Sequence, residues 1–138
     1  AKTIGYNAFY NCSALQIVLI DATKSIGGNA FYNCKGLTEF YAESLEEIDS
    51  SVFDGCENLK TIAIDSVKTL PSGNGAACFG ELRALECFYA DSVTSIPDNA
   101  FMNCLSLKTI SFKKATEIGD YAFEGCSFLK SITMSSLT

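Results

Sequence analysis

The chain has 138 residues, 48% of them apolar and 19% charged, a globular composition for which one domain with one core is the first expectation. A formal charge of −6 argues against nucleic acid and against an anionic membrane surface, since both need a clustered basic face. With no histidine, a histidine general base, a Ser-His or Cys-His nucleophile and a His-ligated metal are excluded, and with no tryptophan one common interface anchor is missing.

From the N-terminus, the segment IGYNAFYNC begins at Ile4 and returns as IGGNAFYNC at Ile26. Further copies begin at Ile48 (IDSSVFDGC), Ile96 (IPDNAFMNC) and Ile118 (IGDYAFEGC). A degraded copy starts at Leu70. The spacing is 22 residues except from Leu70 to Ile96, where it is 26; the four extra residues are placed at Ser72–Gly75. That insertion could carry binding, but surface loops are thermodynamically tolerated and the plainer reading is an indel.

In register, each copy predicts the same elements. Phe9, Phe31, Phe53, Phe79, Phe101 and Phe123 share a column, as do Leu15, Leu37, Leu59, Leu85, Leu107 and Leu129. Two columns follow whose apolar residues alternate with mostly polar ones: Val18, Phe40, Ile62, Phe88, Ile110 and Ile132, then Ile20, Ala42, Ile64, Ala90, Phe112 and Met134. That period of two predicts a half-buried strand in every copy. No copy can bury such a face alone, but stacked copies can. Two residues after each aromatic stands Asn11, Asn33, Gly55, Asn103 or Gly125, types that tolerate a left-handed backbone. The NAF and YAF segments are therefore expected to be single helical turns, distorted in the fourth copy by Glu81.

The combination I-G-x-x-A-F-x-x-C with L-x-x-I-x-I resembles the BspA-like leucine-rich repeats over essentially the whole chain. The resemblance implies a leucine-rich-repeat solenoid of six stacked repeats in one domain (residues 1–138), starting near 4, 26, 48, 70, 96 and 118. It implies a parallel β-sheet on the concave side and short helical turns on the convex side. It also implies a cell-surface or secreted protein with an adhesion role. Many members carry proline after the strand, where this chain has Asp21, Glu43, Asp65, Asp91, Lys113 and Ser135.

Cys12, Cys34, Cys56, Cys104 and Cys126 fall in one column, with Leu82 in the fourth copy. A position shared by Cys and Leu is apolar, so buried free thiols are expected. Rungs about 4.8 Å apart are nominally compatible with disulfides. In-register side chains point in parallel, however, and five cysteines cannot all pair. Zinc is disfavoured because no C-x-x-C occurs. Cys78 is expected inside, while Cys87 on the outward side of a strand is the thiol most open to reaction, although with no base or positive charge nearby an unreactive surface thiol is the plainer reading. Asn11-Cys12-Ser13 matches a glycosylation sequon but runs through a core column and is discounted.

On a solenoid, function sits on exposed positions. Asp21, Glu43, Asp65 and Asp91 would form a column of carboxylates beside Tyr41 and Tyr89. Two readings stay open for it: a solvated strand end, or a docking patch for a basic partner, with a calcium ladder as a lesser variant because one carboxylate per rung supplies too few ligands. The candidate binding residues are Tyr41, Glu43, Asp65, Tyr89 and Asp91. The expected function is a non-enzymatic module binding a protein or surface ligand, without cofactor, metal, nucleic acid or membrane insertion. The alternative is a structural spacer that binds nothing. Both chain ends fall inside a repeat, so either the natural protein continues or the exposed edge strand self-associates.

Overall fold

The computed structural model describes residues 2–72 and 78–135. The polypeptide coils through about six rungs. Six strands pair in one all-parallel sheet: β2 (Ile17–Ile20), β4 (Glu39–Ala42), β6 (Thr61–Ala63), β7 (Cys87–Tyr89), β9 (Thr109–Phe112) and β11 (Ser131–Met134), stacked in chain order. Register is exact to the repeat: Val18 pairs with Phe40, Phe40 with Ile62, Ile62 with Phe88, and so on through Ile132. Two-residue strands ladder a second side of the coil. β1 (Thr3–Ile4), β3 (Ser25–Ile26) and β5 (Glu47–Ile48) form one group, β8 (Ser95–Ile96) and β10 (Glu117–Ile118) another.

The interior is the stack of rings that the repeat pattern demands. Phe9–Phe31, Phe79–Phe101 and Phe101–Phe123 lie 5.1, 5.5 and 5.5 Å apart with nearly parallel planes. Phe40 enters edge-on between Phe31 and Phe53, and Phe88 does so between Phe79 and Phe101. Offset-stacked and T-shaped contacts are the geometries the ring quadrupole favours. The leucine column closes the core, with Leu37, Leu59, Leu85 and Leu107 fully buried.

The expected helical turns do not form: no helix occurs among the described residues. In the first, second, fifth and sixth copies the physical reason is a second left-handed column. Asn7, Asn29, Asn99 and Tyr121 have φ of 55–58°, four residues before Asn11, Asn33, Asn103 and Gly125. Two left-handed residues four apart leave no uninterrupted helical turn between them. The amides then alternate in use: Ala8, Tyr10 and Cys12 bond three residues back along the chain, while Asn7, Phe9 and Asn11 donate to Gly28, Ala30 and Tyr32 of the next rung. The segment is thus a double turn laddered to its neighbour. Glu81, expected to distort its copy, instead adopts φ 62° like the asparagines, and its Oε1 accepts from Asn103 Nδ2 at 2.7 Å. That bond reproduces the 3.0 Å Asn33–Asn11 contact of the second rung.

The cysteine column adds a bond that its apolar character did not announce. Cys34, Cys56, Cys104 and Cys126 each donate S–H to the carbonyl of Phe9, Phe31, Phe79 or Phe101 on the preceding rung, all at 3.1 Å. Every cysteine is a free thiol. Cys34, Cys56, Cys78 and Cys104 are buried; Cys126 is half-buried, and Cys12, expected inside, is exposed because its end rung has a neighbour on one side only.

The regularity lapses between repeats three and four. Phe31 and Asn33 donate forward to Val52 and Asp54, and Phe79 and Glu81 to Ala100 and Met102, but no backbone bond among the described residues joins Phe53 or Gly55 to the fourth copy. Leu82 offers no thiol to Phe53. Pro71 has no amide for Ile48, where Gly27, Asp49 and Gly119 donate to Ile4, Ile26 and Ile96. A 330 Å³ cleft opens between Asp54–Glu57 and Gly80–Leu82. The Phe53–Phe79 rings, 6.4 Å apart, are little further separated than Phe31–Phe53 at 6.2 Å, but their tilt rises from 19° to 33°. Of the insertion assigned to Ser72–Gly75, residues 73–75 lie outside the described residues; Ser72 is exposed.

Candidate functional site

Strand alternation turns residues 39 and 41, 61 and 63, 87 and 89, and 109 and 111 to the outer face of the long sheet, and this face carries the candidate residues. Tyr41 pairs with Ala63, and Ala63 with Tyr89, so the two tyrosines stand two rungs apart across an alanine. Both are half-buried. The Tyr41 hydroxyl donates to Glu39 Oε2 at 2.7 Å, and this bond, with partial desolvation, pushes the phenol above its ordinary value. The Cys87 thiol beside Tyr89 pushes that phenol up in the same way.

The carboxylates expected to form one repelling column have separate fates. Asp65 is exposed, and its Oδ1 accepts the Asp91 amide at 3.1 Å. Asp91 is half-buried, accepts from Ser111 Oγ at 2.6 Å and pairs with Lys113 Nζ at 2.8 Å. Partial burial works against its ionisation, but the bonds from Lys113 and Ser111 outweigh it and hold the carboxyl below the usual range. Lys113 is raised in turn, by its bond to Asp91. Glu43 and Asp21 are exposed. The structure therefore brings Tyr41, Tyr89 and Asp65 around Ala63, ties Asp91 to Lys113, and leaves Glu43 at the solvent edge.

The sequence puts Glu39 and Ser111 on outward strand positions and Lys113 at a strand end, without marking any of them as a site residue. The signal for Lys113 was present: it follows Asp91 by one repeat, and opposite charges on adjacent rungs pair. Lys24–Glu46, Lys35–Glu57 and Lys108–Glu86 do the same, each pair 22 residues apart. No cluster of three His, Cys, Asp or Glu side chains that could hold a metal occurs among the described residues. No helix among them is long and apolar enough to cross a membrane.

Six copies of the BspA type leucine rich repeat region match residues 2–79 and 74–138, so the chain belongs to this family. Among solved structures it resembles a leucine rich cell surface protein of Faecalibacterium prausnitzii, at 36% identity and a TM-score of 0.71 over 99% of this chain and 37% of that one. It also resembles a leucine-rich repeat protein of Bacteroides ovatus, with 25% identity, a TM-score of 0.63 and coverage of 96% and 40%. A leucine rich repeat protein of T. pallidum shares the fold at 24% identity and a TM-score of 0.55, with 96% of this chain aligned to 51% of that one. This chain spans between about a third and a half of the length of these neighbours. No curated protein matches it.

Proposed function

We propose that this repeat array is a non-enzymatic binding module of a cell-surface or secreted protein, engaging a basic protein or peptide through the outer face of the long sheet around Tyr41, Glu43, Asp65, Tyr89 and Asp91. The observation that carries the reading is the pair of tyrosines held in register across Ala63 and bordered by carboxylates, with exposed Ile17 and Leu19 extending the apolar surface on the rung before Tyr41. Tyrosine is a favoured interface anchor because it brings large contact area with few rotatable bonds. The likeness to a leucine rich cell surface protein supports the location.

A phage-displayed random peptide library selected on the wild-type protein tests this. Enriched peptides are expected to be basic, and to lose binding to the Tyr41→Ala/Tyr89→Ala variant while that variant keeps its melting temperature. Peptides that bind both proteins equally would move the site elsewhere. A selection that enriches nothing would favour the spacer reading.

A further inference from the structure

We infer that the gap over Ala63, walled by Tyr41 and Tyr89, is a slot for one planar cation, the guanidinium of an arginine on the bound partner. The inference rests on the binding reading above and sharpens it from a basic partner to an arginine-bearing one.

The width follows from the register. Tyr41, Ala63 and Tyr89 occupy the same position on three consecutive rungs. Parallel strands lie about 4.8 Å apart, so the tyrosine backbones are separated by about 9.6 Å. A flat group making van der Waals contact on both faces needs about 7–8 Å between its walls. One planar layer therefore fits, with slack that a small side-chain rotation takes up, and two layers do not. The floor is low because Ala63 stands where a larger residue would fill the space, and Thr61 extends it along the same strand. The Tyr41 wall leans back along its own strand, its hydroxyl held by Glu39.

Charge selects among planar groups. Glu39 stands on one wall and makes no ion pair among the described residues, and neither does Asp65 at the end of the floor strand. Among the described residues, the one basic side chain paired into this face is Lys113, on the rung beyond Tyr89, and it is engaged by Asp91. Glu39 and Asp65 accept neutral hydrogen bonds from Tyr41 and the Asp91 amide, but a neutral ring in the slot would leave their negative charges without a counter-charge. Lysine carries a compact charge that needs no flat slot, whereas guanidinium stacks on aromatic faces while its edge donates to carboxylates.

The test compares poly-L-arginine with poly-L-lysine of equal length on immobilised protein at about 150 mM salt, where unspecific surface attraction is screened beyond about 8 Å. Poly-L-arginine is expected to bind about tenfold more tightly. Ala63→Phe, which fills the slot, should abolish that preference and leave poly-L-lysine binding unchanged. Tyr89→Leu, which removes one wall without adding bulk, should reduce the preference in a protein whose melting curve certifies the fold. Equal binding of the two polymers, or a preference that survives Ala63→Phe, would overturn the slot and leave the basic-partner reading standing. Binding of neither polymer would overturn both.

Discussion

At the residue scale, the cysteine column shows how one side chain serves two physical needs. Its apolar body fills the space behind each phenylalanine, and its S–H reaches the preceding phenylalanine carbonyl. Burial pushes the Cys56, Cys78 and Cys104 thiols up to about 12, and Cys34 is raised for the same reason. These four thiols should stay silent to a thiol-reactive disulfide reagent at pH 8 while the protein is folded, because the thiolate is the nucleophile. Exposed Cys12 and half-buried Cys87 should react first. Rapid modification of all seven in the native state would contradict the burial described here. The column's apolar nature was readable in the sequence because Leu82 shares it. The S–H bond was not, since it depends on which carbonyl the next rung places beneath the sulfur.

At the scale of elements, what the sequence made legible was whatever repeats with a fixed inward or outward direction. The strands and their register followed from alternation at Val18–Ile20, Phe40–Ala42 and their equivalents. The helical turns fail because Asn11 and its column look like helix stops only when Asn7, Asn29 and Asn99, four residues earlier, are left out; in those copies two left-handed sites so close exclude a helix. The seam between repeats three and four was half visible, as a degraded copy with an insertion. Its consequence, the loss of turn ladder, thiol bond and Pro71 amide together, needed the geometry. Hydrogen exchange should expose it: the amides of Phe53 and Gly55 should exchange about tenfold or more faster than those of Phe31, Asn33, Phe101 and Asn103, which donate to the next rung. Uniform protection along the column would show the seam closed.

For the molecule as a whole, stability is the sum of each rung and its contacts with two neighbours. The core is one continuous cluster from Val18 to Ala122, with Phe123 and Leu129 packed against its end. The candidate face was legible as a row of outward positions. Its pairing was not, because Asp91 and Lys113, or Tyr41 and Glu39, meet only once rungs are stacked and side chains choose a direction. The candidate site depends on the stack: if rungs did not lie in register, Tyr41 and Tyr89 would not flank Ala63.

Equilibrium denaturation of Phe53→Ala beside Phe123→Ala tests that stack most directly. Phe53 is 3% exposed and touches Phe31, Phe40 and Phe79, whereas Phe123 is half-buried and touches one ring, Phe101. The mid-stack truncation should cost about 3–5 kcal/mol, and the end truncation less than half as much. Equal losses at the two positions would contradict a core built as a one-dimensional pile of rings.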